Sequence, residues 1–159
     1  MSTIYTDDQY DTCYPPGIDN HWWTIARGAQ VLRIVRGENR FGDVFLEVGC
    51  GRGIEVKALR NAGIDVYGVE LADVRPLEGV EPFISSGIDA IQLPLVERER
   101  VTGLLLLDVI EHQPLSSRRL NLASRNSRWS SLRFQLRRNY GRTTMCSTVT
   151  IVVTRPKCL

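Results

Sequence analysis

The sequence has few of the residues that build metal sites and disulfide frameworks. Its four cysteines (Cys13, Cys50, Cys146 and Cys158) lie far apart, with no C-x-x-C pair among them, and the chain contains only two histidines. Scattered cysteines argue against a zinc site or a disulfide framework and favour a reducing compartment. We therefore expect no metal and a cytoplasmic location.

Long apolar runs and a surplus of one charge are also missing. The longest apolar run, around Gly103 to Leu107, is only strand-sized, and no signal-peptide pattern opens the chain. The net charge is +2, from 20 basic and 18 acidic residues. We therefore expect a soluble protein with neither a membrane nor a nucleic acid as partner. A length of 159 residues suits one domain but is short for a complete doubly wound sheet.

A glycine-rich segment, Glu47-Val48-Gly49-Cys50-Gly51-Arg52-Gly53, follows the apolar residues Val44, Phe45 and Leu46. Glycine allows a sharp turn and close approach of a ligand, and the helix that follows directs N–H groups at that ligand. The spacing G-x-G-x-G, with a carboxylate two residues ahead, differs from the G-x-G-x-x-G of dinucleotide sites. A glycine-rich turn without a ligand remains the alternative.

This segment resembles the first motif of the class I S-adenosylmethionine-dependent methyltransferases, (D/E)-x-G-x-G-x-G, at every fixed position. The resemblance implies an α/β fold, a Rossmann-like doubly wound parallel sheet, with S-adenosyl-L-methionine as cofactor. The cofactor-binding residues that it implies in this motif are Glu47, Gly49, Cys50, Gly51 and Gly53. A short H-W-W segment, His21 to Trp23, recurs in some of these enzymes.

The elements around the motif follow from periodicity. Residues 1–20 form an N-terminal arm, either ordered or flexible, and a domain of residues 21–114 follows. A helix is predicted from His21 to Arg36, with apolar positions at Trp22, Ile25, Ala29, Leu32 and Val35. We predict strands over 44–48, 64–70 and 101–107, a helix over 53–61 that Gly63 ends, and a short, imperfect helix over 71–81.

Three further cofactor contacts are expected at strand ends. Glu70 ends the second strand about twenty residues after the glycines, where an acidic side chain meets ribose hydroxyls. Asp89 lies in Ile88 to Pro94, which resembles the family's third strand and following loop, where an acidic residue commonly meets adenine; it could equally be an ordinary turn former. Asp108 follows the fourth strand, whose apolar run indicates burial on both faces.

Asp108 also opens Asp108-Val109-Ile110-Glu111-His112, which resembles the D-V-I/L-E-H element of many small-molecule methyltransferases. His112 could act as a catalytic base toward a substrate hydroxyl or amine, because its unperturbed pKa lies near neutrality. It could equally hydrogen-bond the backbone and shape the cofactor pocket. A structural role is favoured for Glu111.

The family pattern stops after Pro114, and residues 115–159 form an atypical tail. Leu115 to Arg138 is dense in Ser and Arg, with apolar interruptions at neither strand nor helix period. We predict that the coding sequence loses its frame shortly after His112. Joining the third base of each codon to the first two of the next permits T-V-P-A and L-W-S-N-Y-D-V-F-Y-G-H-Y-R-R-Y, which resemble the missing continuation. The tail should then be disordered or poorly packed.

Three functions compete on this sequence. The first is methyl transfer from S-adenosyl-L-methionine to a small-molecule acceptor, with the chain inactive if its C-terminal half is missing. The second is a non-catalytic cofactor-binding remnant or interaction module, whose basic tail, Arg118 to Arg138, contacts acidic partners or RNA. The third is a nicotinamide dehydrogenase, against which the glycine spacing argues.

Overall fold

A computed structural model describes residues 7–38, 42–107, 129–140 and 143–154. Two helices, α1 (Asp7–Cys13) and α2 (Trp22–Glu38), precede the sheet. The elements that follow are β1 (Phe45–Val48), α3 (Ile54–Asn61), β2 (Val66–Glu70), β3 (Ile84–Ser86), α4 (Leu95–Arg100), β4 (Gly103–Leu107), β5 (Trp129–Tyr140) and β6 (Thr143–Thr154). The first, second and fourth predicted strands are confirmed, with later starts than expected.

The strands form one sheet in the order β3-β2-β1-β4-β6-β5. Strands β1 to β4 are parallel: Phe45 of β1 pairs with Val66 of β2 on one side and with Gly103 of β4 on the other. The carboxyl ends of β1, β2 and β4 therefore lie at one edge, where open α/β sheets bind ligands. The α/β, Rossmann-like parallel sheet that was predicted is confirmed.

Both faces of the parallel strands are covered. Phe45 of β1 and Leu105 of β4 are fully buried on the face that α2 and α3 cover. Leu46 of β1 and Leu104 of β4 point to the opposite face, where they pack against the 3₁₀ turn Ala90–Gln92. The alternation follows from the pleat of a strand, and burial on both faces explains the unbroken apolar run of β4.

The buried face of α2 matches the predicted one only in part: Val35 is fully buried and Leu32 packs against the core, but the start of the stripe does not. Trp22 and Ile25, which begin the predicted apolar stripe, are 50% and 57% exposed. The buried residues of the helix are Thr24, Val31, Ile34 and Val35. The periodicity located the helix. Because apolar residues occur on several sides of α2, the side that is buried depends on the elements that the helix packs against.

Packing on α3 decides that face. Gly28 lies opposite Ala58 of α3, where a Cβ on Gly28 would stand at an ordinary contact distance of 3.7 Å from the Cβ of Ala58. Next to it, the Arg27 guanidinium forms an ion pair with Glu55 at 3.3 Å. These two contacts turn Ile25 toward solvent.

The connection from β2 to β3 corrects two expectations. Residues 71–80 do not form the predicted helix. Pro76 and the left-handed Gly79 (φ 88°) are incompatible with a continuous helix here. The Leu77 N–H instead donates to the Arg52 carbonyl at 2.9 Å. The third strand lies at Ile84–Ser86, not within residues 88–94. Asp89 instead caps the 3₁₀ turn that follows.

The tail contains two strands where no regular element was expected. β5 and β6 form an antiparallel hairpin, from Trp129 opposite Thr154 to Tyr140 opposite Thr143, and β6 pairs antiparallel with β4. The alternate positions of Leu132, Phe134 and Leu136 carry a strand signal that the surrounding Ser and Arg obscured. The side-chain packing of the hairpin lies outside the described residues, so poor packing of the tail stays a prediction.

Candidate cofactor site

The glycine loop after β1 turns in the way that its three glycines allow. Gly49, Gly51 and Gly53 have φ values of 77°, 54° and 86°, in the left-handed region that side chains disfavour. The Gly49 N–H donates to the Val69 carbonyl at 2.8 Å, which anchors the loop to β2. The loop therefore rises at the carboxyl edge of the sheet and leads into α3.

The two later glycines differ in what limits them. A Cβ on Gly53 would lie 2.9 Å from Ile84 Cδ1 and 3.3 Å from Val80 Cγ2, so this glycine is needed for packing inside the protein. A Cβ on Gly51 would lie 2.0 Å from the hydroxyl oxygen of Tyr14. Tyr14 therefore occupies the space above Gly51, whereas Ile84 and Val80 occupy the space beside the α-carbon of Gly53.

Glu70 at the end of β2 lies against this loop. Its side chain is buried, with Oε2 accepting from the Gly51 N–H at 2.9 Å and Oε1 from the Ala72 N–H at 3.1 Å. The Tyr10 hydroxyl also hydrogen-bonds to this carboxylate. Glu70 therefore lies beside the glycine loop, as its offset in the sequence indicates, and it holds that loop in shape.

Glu47 has an unusual environment for a carboxylate. It is 2% exposed, and within the described part of the chain its Oε2 has no hydrogen-bond partner. Burial and the neighbouring Glu55 raise the pKa of Glu47 well above 4.5, Arg27 opposes the rise, and Glu70 adds to it. A buried, unpaired acceptor costs free energy unless another group satisfies it.

The pKa of Tyr14, which lies above the glycine loop, reflects the electrostatic environment there. Burial, together with the charges of Glu55, Glu47 and Glu70, raises the pKa of the Tyr14 hydroxyl above its ordinary value of 10.0. The space over Gly51 is therefore one where negative charge is disfavoured. Burial would oppose a cation there as well, whereas the three carboxylates would favour it.

The side chain of Cys50 points away from the loop's open side. It is 3% exposed in the core under α2 and α3, and its Sγ would lie 2.6 Å from a Cβ on Gly68. Burial raises the pKa of this thiol, as do Glu47 and Glu70, so it stays protonated and is a poor nucleophile. Cys50 is predicted to contact the cofactor. Because its side chain lies in the core, such a contact would involve only its backbone.

Asp89 is engaged in local structure. Its carboxylate accepts from the Ile91 N–H at 3.3 Å, while Gln92 accepts from the Asp89 N–H, which completes a capping box. This is the turn-forming role that the sequence left open, and the adenine contact stays a prediction. Asp108 and His112 lie outside the described residues.

The sequence analysis missed three residues of the N-terminal arm. Tyr10 and Tyr14 stack with ring centroids 5.9 Å apart, and Asp11 forms an ion pair with Arg52 of the glycine loop. The four-residue spacing of the tyrosines is a signal that could have placed both on one helix face. It could not have shown that this face lies over Gly51.

A cavity of about 220 Å³ lies elsewhere on the sheet, lined by Tyr67, Phe83, Glu97 and Arg100 among others. Neither Glu70 nor any glycine-loop residue lines it, so it is separate from the candidate cofactor site. Across the described ranges, no helix has the length and hydropathy to cross a membrane, and no three His, Cys, Asp or Glu side chains cluster as a metal site would require.

Comparison with known proteins gives a fold-level result. No family model matches the chain, and no curated protein matches it. Among solved structures, the chain is similar to the C-terminal domain of precorrin-6Y C5,15-methyltransferase from Rhodobacter capsulatus, with 14% identity and a TM-score of 0.31. The match covers 72% of this chain and 81% of that domain. What binds at the glycine loop is therefore inferred from the loop's own residues.

Proposed function

We propose that the chain binds S-adenosyl-L-methionine at the glycine loop and has the fold for methyl transfer to a small-molecule acceptor, with turnover requiring the C-terminal half that a loss of frame would remove. One observation above all supports this: three buried carboxylates, Glu47, Glu55 and Glu70, surround a glycine loop, and an oxygen of Glu47 lacks a partner among the described residues. Arg27 forms an ion pair with Glu55. Glu55, Glu47 and Glu70 all raise the pKa of the Tyr14 hydroxyl, so their combined charge disfavours an anion over the loop.

This charge discriminates between nucleotide cofactors. A dinucleotide brings an anionic pyrophosphate, which nearby carboxylates repel. S-adenosyl-L-methionine brings a sulfonium and an ammonium group close to its nucleoside, and both are cations. The acidic surroundings therefore argue for a sulfonium cofactor and against a nicotinamide dinucleotide, in agreement with the glycine spacing.

The residues present fit such a cofactor. Glu70 would accept from ribose hydroxyls, Glu47 would accept from the ammonium group through its unpaired oxygen, and Gly51 would leave room for the cofactor once Tyr14 moves away. When bound, the cofactor supplies a methyl group that its sulfonium already makes electrophilic. The chain's own task is then to orient donor and acceptor in line and to exclude water.

An acceptor that must lose a proton needs a base as well. His112 is our candidate, because it follows the fourth strand and its ordinary pKa lies near neutrality. It would take a proton from a hydroxyl or amine of the small molecule. An acceptor that needs no deprotonation would react without it.

Calorimetry with three ligands tests the cofactor assignment. S-adenosyl-L-methionine and S-adenosylhomocysteine should bind and raise the melting temperature, whereas NAD should do neither. Glu70→Ala should weaken binding of both by about 1.5–3 kcal/mol, the scale of charged hydrogen bonds. Glu81→Ala is the matched control, since Glu81 also accepts a backbone N–H, from Gly79 at 2.8 Å, but is exposed.

The opposite pattern would end the proposal. Stabilisation by NAD without stabilisation by S-adenosylhomocysteine would assign the loop to a dinucleotide. An equal loss in Glu70→Ala and Glu81→Ala would show that Glu70 is an ordinary strand-end carboxylate.

A further inference from the structure

The arm before α2 lies over the glycine loop. Tyr10 of α1 is 6% exposed and packs with Ala72 and Val74, in the connection that follows β2. Tyr14 stacks on Tyr10, and the Arg52 guanidinium lies 5.9 Å from the centre of the Tyr14 ring. The arm is thus attached to the two segments that form the candidate cofactor site.

Both tyrosine hydroxyls occupy positions that a nucleoside would need. The Tyr14 hydroxyl oxygen fills the space directly over Gly51, 2.0 Å from the position of a Cβ. The Tyr10 hydroxyl is hydrogen-bonded to Glu70, the carboxylate expected to accept from ribose.

Counting acceptor sites on Glu70 shows that these roles conflict. A carboxylate offers about four lone-pair sites. Three of these sites are already used by donors: the Gly51 N–H, the Ala72 N–H and the Tyr10 hydroxyl. A ribose brings two more hydroxyls, and the two N–H groups belong to the backbone that shapes the site. Tyr10 is the donor that can leave.

We propose that α1 and Tyr14 form an autoinhibitory lid, which occupies the nucleoside side of the glycine loop and must be displaced before ribose reaches Glu70. This inference rests on the proposed function. It makes Tyr10 a competitor of the cofactor and not a contact for it.

The lid is built to be displaced. α1 has only seven residues, too few to be stable as a helix without its packing. The ion pair from Arg52 to Asp11 adds little, since the Asp11 side chain is 71% exposed. Among the described side chains of α1, the burial of Tyr10 and its bond to Glu70 therefore hold the lid closed.

Tyr10→Phe tests the inference, because it removes the competing hydroxyl and keeps the ring. By calorimetry, S-adenosylhomocysteine should bind this variant about tenfold more tightly than the wild type, since the open fraction of the chain rises. Tyr67→Phe is the matched control: Tyr67 packs edge-on against Phe83, away from the glycine loop, and its replacement should leave affinity unchanged.

The outcomes separate the lid from the proposed function. Unchanged or weaker binding by Tyr10→Phe, while the wild type binds, overturns the lid and leaves the cofactor assignment standing. Binding by the variant alone supports both. Binding by neither protein overturns the cofactor assignment, and the lid with it.

Hydrogen exchange of the wild type gives a second measurement that does not depend on a substitution. Saturation with S-adenosylhomocysteine should speed amide exchange in residues 7–14 and slow it in residues 49–56. Slower exchange in residues 7–14 would mean that the arm closes over the ligand, and would overturn its role as a competitor.

Discussion

At the scale of single residues, Glu47 illustrates a conflict between stability and binding. Its burial and its acidic neighbours raise its pKa, so the folded chain holds a proton that the unfolded chain releases at lower pH. The stabilisation from this group is complete below its ordinary pKa of 4.5 and is lost as the pH rises from there toward the raised value. A buried carboxyl with an unpaired oxygen costs the fold free energy, and strongly perturbed carboxyls of this kind cluster at functional sites.

Glu47→Gln should therefore raise the melting temperature at pH 7 by a few degrees and weaken S-adenosyl-L-methionine binding about tenfold. The gain in melting temperature should shrink as the pH falls toward 4.5, where the native carboxyl is also neutral. Scanning calorimetry across this pH range measures it, with the exposed Glu99→Gln as control. A variant that is less stable at pH 7 would show that the charged carboxylate stabilises the fold.

At the scale of elements, the strand-loop-helix unit from β1 to α3 depends on glycine for two separate reasons. Gly51 provides a left-handed backbone under the proposed cofactor, and Gly53 provides both a left-handed backbone and room for Ile84 and Val80. A valine at Gly53 would thus abolish cofactor binding by disturbing the protein's own packing. Only Gly51 tests the loop's ligand side.

A pair of alanine substitutions separates the two reasons. Gly53→Ala and Gly79→Ala share nearly the same φ, 86° and 88°, but a Cβ at Gly79 would meet nothing within 4 Å. Gly79→Ala should lower the free energy of unfolding by about 1 kcal/mol from backbone strain alone. Gly53→Ala should cost about 1–3 kcal/mol more, because it also overpacks the core. Denaturant unfolding measures both, and equal losses would mean that Ile84 gives way without cost.

At the scale of the whole molecule, the sheet changes character after β4. β1 to β4 are parallel, whereas the partner of β4 on its other side is β6, which runs antiparallel. The predicted loss of frame falls in the residues between β4 and β5, ahead of this hairpin. This loss of frame stays a prediction about the coding sequence of the gene.

Sequencing the gene tests the loss of frame. The shifted frame should read through Leu132 to Val153 without a stop and give a continuation like that of the family. A chain with the frame restored should bind S-adenosylhomocysteine more tightly, melt at a higher temperature and turn over, whereas the present chain should bind without turnover. Stops or unrelated residues in the shifted frame would contradict the idea.

The sequence by itself determined the parallel strands β1, β2 and β4 and the position of Glu70 beside the glycine loop. Buried strands need apolar residues on both faces, and glycine is needed where φ is positive. Glu70 ends its strand beside the glycine loop. Each of these is a local requirement, so the residue types in the sequence are enough to indicate it. The same local rules located α2 but placed only part of its buried face. They also missed β5 and β6, and the alternation of β5 is short and interrupted.

Only the tertiary structure decided which groups meet. The buried face of α2 follows from Gly28 against Ala58, the capping role of Asp89 from the position of β3, and the cover over Gly51 from an arm more than thirty residues earlier in the chain. Periodicity describes one element at a time, whereas these contacts join elements that are distant in sequence. Their free energy depends on geometry that exists only after the chain has folded, so no local pattern could have specified them.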